Sequence, residues 1–79
     1  MYINFDNLTH GEAELVRWAY REQNEFQSAL WDAIARAEED DRMALSMGYP
    51  EEVEAFVRYY QENGYWQEIQ KKAGLEVGL

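Results

Sequence analysis

The sequence predicts a single all-α domain spanning residues 1–79, a compact bundle of about four helices with a short extended N-terminal arm. Three observations predict it. Thr9-His10-Gly11-Glu12 reads as a capping box, Phe26 to Ala37 carries an apolar stripe at helical spacing, and Tyr49-Pro50-Glu51-Glu52 reads as a sharp helix start. A chain of 79 residues can build one core but not two. Its 47% apolar and 15% aromatic residues mark a folding sequence rather than an acidic disordered tail.

Taken in order, residues 1 to 8 form the arm, with Tyr2, Ile3, Phe5 and Leu8 available for packing, and at most one strand. A lone strand has no sheet to join. The first helix follows Thr9 and carries Leu15, Val16, Ala19 and Tyr20 inward. At Glu22-Gln23-Asn24 the pattern weakens, and Asn24 with Gln27 three residues on reads as a second cap. A continuous helix through Asn24 is the competing reading, since no glycine or proline intervenes. In the second helix Phe26, Ala29, Leu30, Ala33, Ile34 and Ala37 fall at i, i+3, i+4, i+7, i+8 and i+11, one buried stripe. That helix either runs on through Glu38-Glu39-Asp40-Asp41 to Gly48 as a C′ glycine, or breaks at Asp40 or Asp41 into a second short one. Pro50 then opens a helix with Val53, Phe56, Val57 and Tyr60 inward, stopped by Asn63-Gly64. Tyr65, Trp66 and Ile69 begin the last helix, which Lys71 and Lys72 suit at its negative end and Gly74 terminates.

Charge and composition exclude several function classes. The 16 acids and 7 bases give a formal charge of -9, against direct binding to nucleic acid or an anionic membrane. With no cysteine there is no disulfide framework, thiolate nucleophile or cysteine zinc site. The opening residues lack the basic and apolar regions of a signal peptide, and no stretch approaches the roughly 20 apolar residues of a membrane span. The cytosol is the expected location.

Catalytic parts are equally sparse. His10, the single histidine, sits within the capping box and reads as a surface residue of a first turn. Ser28 and Ser46 lie in no nucleophile motif, and the five glycines form no phosphate loop. Glu38 to Asp41 lack the alternation and central glycine of a calcium loop, and one histidine cannot furnish a di-iron site. Neither enzyme activity nor a metal or other cofactor is expected.

The positive signals are acidic and aromatic. Between residues 38 and 54, seven acids (Glu38, Glu39, Asp40, Asp41, Glu51, Glu52 and Glu54) face one base, Arg42, so this segment holds -6 of the total -9. Glu51 and Glu52 suit a helix N-terminus. Read as the end of the preceding helix, Glu38 to Asp41 have no such explanation, and a solvated turn competes with a surface built to meet positive charge. On a continuous long helix, Glu25, Asp32 and Glu39 would share one face at heptad spacing, loosely compatible with phosphate mimicry. Three Trp, six Tyr and three Phe exceed what a small core needs. Trp18, Trp31, Tyr49, Tyr59 and Tyr65 are the least securely placed; Tyr and Trp beside acids suit a protein-binding surface.

Small, acidic, cysteine-free chains with runs such as Ala37-Glu38-Glu39-Asp40-Asp41 and Pro50-Glu51-Glu52-Val53-Glu54 resemble phage-encoded anti-CRISPR and anti-restriction proteins, several of which are DNA mimics. The resemblance implies an inhibitor that occupies a basic, nucleic-acid-binding groove of a bacterial defence complex such as a CRISPR effector. Glu38, Glu39, Asp40, Asp41, Glu51, Glu52, Glu54, Tyr49 and Asp32 are the candidate partner-binding residues. The alternative is a helical interaction module (a homodimer, an antitoxin or a phage assembly component) binding through its aromatic and alanine face, with the acids serving solubility.

Overall fold

Helix boundaries in the structure, a computed structural model that describes residues 3–77, follow local capping chemistry closely. Five helices are present among the described residues, one more than the sequence predicts: α1 (His10–Ala19), α2 (Glu25–Arg36), α3 (Glu39–Gly48), α4 (Pro50–Gln61) and α5 (Tyr65–Lys72).

At the start of α1 the Thr9 hydroxyl accepts from the Glu12 amide and the Glu12 carboxylate accepts from the Thr9 amide, both at 3.1 Å, completing the expected capping box. Its end is closed by Arg21, whose φ of 59° is left-handed, with bonds from the Arg21 amide to the Trp18 carbonyl and from the Glu22 amide to the Arg17 carbonyl. The same closure ends α5, where Gly74 at φ 72° takes the left-handed position without a Cβ penalty. The break at Asn24 is real: its side-chain oxygen accepts from the Gln27 amide at 2.8 Å.

The extra helix arises at Ala37, which leaves α2 with ψ 143°. Arg42 reaches back across this corner and donates to the Ile34 carbonyl at 3.3 Å and the Ala37 carbonyl at 2.8 Å, satisfying acceptors that the end of α2 would leave open. No long helix therefore carries Glu25, Asp32 and Glu39 on one face; Glu39 belongs to α3. Gly48 is the last residue of α3 rather than a left-handed cap. The following proline disfavours helical geometry at Tyr49, which turns the chain with φ −132° and ψ 60°.

Helix α4 is the hub and contacts all four others, most extensively α1. That closeness depends on Gly11, because a Cβ there would lie 2.2 Å from the Glu51 carbonyl oxygen. The core joins Leu15 and Val16 of α1, Leu30, Trp31 and Ile34 of α2, Val53, Ala55 and Phe56 of α4, and Tyr65 and Ile69 of α5. In α3 no residue is buried, so this helix rides on the outside of α4.

Five inward assignments change: Ala19, Phe26, Ala29, Ala33 and Tyr60 are all exposed. Phe26 is 58% exposed and Tyr60 78% exposed, whereas Trp31 is fully buried. Trp31 replaces the Phe26/Ala29/Ala33 edge of the apolar arc because its large ring gains more from leaving water. The N-terminal arm forms a turn instead of a strand: Ile3 is buried, the Asn4 amide donates to the Ala73 carbonyl at 3.0 Å, and Phe5 lies under the Arg17 guanidinium. Tyr2 lies outside the described residues.

Candidate functional site

The acids of residues 38–54 divide among different surroundings rather than forming one patch. Glu38 occupies the N-cap of α3, and Glu39, Asp40 and Asp41 form its first turn, all exposed. This is the positive end of a helix dipole, so their clustering has a stabilising role that the sequence reading, which placed them at a helix C-terminus, did not grant them. Glu39 lines a shallow cleft of about 340 Å³ with Met43, Val53, Val57 and Gln61. Glu51 and Glu54 lie along a different side of α4, beside Thr9, Glu12 and Arg58.

Glu52 is drawn inward. It is only 6% exposed, and its Oε2 lies 3.2 Å from Nε2 of His10. Its carboxylate is thereby taken out of any outward-facing surface, while His10 remains half-exposed as its partner. Tyr49 is half-buried at the α3–α4 corner, its ring 6.1 Å from that of Phe26. Asp32 is exposed on α2, where its Oδ1 accepts from the Trp18 indole N–H at 3.2 Å.

Arg42, the single base within the segment, does not neutralise these acids. Its guanidinium is committed to the carbonyls at the end of α2 and lies over the Phe56 ring. Among the described residues, Glu38, Glu39, Asp40, Asp41, Glu51 and Glu54 form no ion pair; Glu52 is hydrogen-bonded to His10, and the ion pairs present are Arg17–Glu14 and Arg58–Glu62. In the last of these, the mutual hydrogen bond holds the Arg58 guanidinium above and the Glu62 carboxyl below their ordinary values. Both groups are solvated and the bridge is a minor contributor to stability.

A second arrangement was legible only as an aromatic surplus. Trp18 of α1, Tyr59 of α4 and Trp66 of α5 form the walls of a cleft of about 540 Å³, with Asp32, Gln23 and Arg21 completing it. Tyr59 stands edge-on to both indoles, at 6.4 Å from Trp18 and 5.7 Å from Trp66. Its residues come from four helices and a loop, so no sequence spacing could have grouped them. Among the described residues, no group of three or more His, Cys, Asp or Glu is placed to hold a metal ion, and no helix is long and apolar enough to cross a membrane.

Comparison with protein-family models, with curated proteins and with solved structures gave no match.

Proposed function

We propose that this protein is a non-enzymatic acidic binding protein that docks on the basic surface of a larger partner. In its narrower form the partner is a nucleic-acid-binding complex of bacterial defence, such as a CRISPR effector, inhibited in the cytoplasm by occupation of the groove its nucleic acid would fill. The observation that carries the reading is the state of the acids on α3: Glu38, Glu39, Asp40 and Asp41 are exposed, and the one base of their segment is turned inward. A helix N-terminus is satisfied by one or two acids; four adjacent ones add mutual repulsion that a cationic partner would relieve. Encounter would be fast at low salt and slow steeply as salt screens the field.

The test is capture of partners from bacterial lysate by the wild-type chain and by a variant carrying Glu38→Gln, Glu39→Gln, Asp40→Asn and Asp41→Asn. Neutral amides are preferable to lysines because the acids open a helix. The captured partner should be lost from the variant, released near 0.5 M NaCl, and prevented by the wild-type chain from binding its own nucleic acid. Undiminished capture by a folded variant would end the reading for α3.

The second reading, a helical interaction module, draws on a different observation: Met47 is 89% exposed, Met43 63%, Tyr60 78% and Phe26 58%. Side chains of this kind suit apolar contact. A complex or homodimer formed through them should survive 0.5 M NaCl in size-exclusion chromatography, which separates the two readings.

A further inference from the structure

We infer that the cleft between Trp18, Tyr59 and Trp66 receives an arginine side chain of a protein partner. This assignment deepens the reading of an acidic protein on a basic partner and rests on it for the identity of the occupant as a protein. The cleft itself supplies the chemistry. At about 540 Å³ it is within the ordinary range of ligand sites, and three aromatic rings line it, with Tyr59 edge-on to both indoles.

Two of its lining residues, Gln23 and Asp32, bring acceptor oxygens. The Gln23 amide nitrogen donates to both the Glu14 carbonyl, at 3.1 Å, and the Glu14 carboxylate, at 3.0 Å. With the nitrogen so engaged, the amide oxygen is oriented away from Glu14, and this Oε1 is buried and accepts no hydrogen bond from the protein. Asp32 holds the Trp18 indole with Oδ1, and among the described residues its Oδ2 accepts nothing. An oriented amide oxygen, a carboxylate and π faces are what a planar, multiply donating cation needs. Guanidinium suits all three at once, because it stacks flat on a ring while donating in its plane; an ammonium group has no planar face to stack.

Arg21 is the one opposing charge among the lining residues. It reports the sign of the occupant: removing it should help a cation and harm an anion.

The experiment is a titration of the full chain with short blocked Gly/Ser peptides that carry one arginine, one lysine or one glutamate, followed by the indole N–H resonances. The arginine peptide should shift the Trp18 and Trp66 signals saturably and leave that of buried Trp31 in place, and the glutamate peptide should shift neither. Asp32→Asn, on an exposed helix face, should weaken binding roughly tenfold, and Tyr59→Leu by a similar factor. Arg21→Gln should tighten it about two- to threefold as a like charge is removed. Absence of a saturable shift, equal binding of the lysine peptide, indifference to Asp32→Asn, or loss of binding in Arg21→Gln would each overturn the assignment. The variant neutralised at residues 38 to 41 should keep the peptide response. Peptide binding lost with partner capture intact would remove the cleft alone, whereas capture lost only on α3 neutralisation would leave the acidic reading standing without it.

Discussion

The Tyr65 phenol donates a hydrogen bond to the Glu12 carboxylate at 3.2 Å, across 53 residues of sequence. Both residues are buried, and the other oxygen of the same carboxylate caps α1 by accepting from the Thr9 amide. One acid thus ties the start of α1 to the start of α5. Replacing Tyr65 with phenylalanine keeps the ring and leaves the carboxylate a donor short. The expected loss is about 1–3 kcal/mol in urea unfolding. A loss below about 0.5 kcal/mol would show that solvent replaces the phenol at no cost.

The same contact sets a pH dependence. Burial, and next the negative charge of Glu12, push the Tyr65 phenol well above the ordinary 10.0. Since the folded state holds this proton more tightly than the unfolded state, the stabilisation is complete below pH 10 and is lost as pH rises beyond it. Ultraviolet titration should show one tyrosine that ionises only on unfolding. In the phenylalanine variant, alkaline destabilisation should be smaller; an unchanged alkaline transition would contradict the assignment.

Alanine usually improves a helix by up to about 1 kcal/mol over glycine. At Gly11 the opposite is expected, because the new Cβ would meet the Glu51 carbonyl oxygen at 2.2 Å and carbon at 2.7 Å. Backbone cannot yield as a flexible side chain can. Gly11→Ala should lower stability by roughly 2 kcal/mol or more as α1 moves off α4. Thermal melting of the variant settles the sign.

Arg21 occupies a left-handed conformation at φ 59° that costs a side-chain-bearing residue about 1–2 kcal/mol, partly offset by the greater unfolded-state freedom of glycine. Arg21→Gly should therefore stabilise the chain by up to about 1 kcal/mol. Denaturant midpoints compared with Arg21→Gln separate the backbone effect from loss of charge.

Two aromatic residues on α2 should behave oppositely. Trp31 is fully buried and Phe26 is 58% exposed. Trp31→Ala should cost about 3–5 kcal/mol and Phe26→Ala under about 1 kcal/mol. Equal effects would mean that the apolar stripe faces the core as its spacing alone suggested.

Much of the helical framework was readable because caps are local. Thr9 with Glu12, Asn24 with Gln27, Pro50 at a first helical position and glycine at residue 74 each act within a few residues of their partners. The break at Ala37 was not readable in the same way. It is reinforced by Arg42 reaching back to the carbonyls of Ile34 and Ala37, and spacing does not say which of its bonds a long side chain will make.

The acidic run shows the division most clearly. Caps and apolar spacing by themselves determined an all-helical fold, and the order of residues placed most of its negative charge between residues 38 and 54. Only tertiary structure decided what those acids face: Glu38 to Asp41 open α3, Glu52 turns in to His10, and Glu51 and Glu54 lie beside Thr9, Glu12 and Arg58. Capping depends on neighbours in sequence, whereas the face a helix buries, and the cleft its aromatics line, depend on which other helices arrive against it.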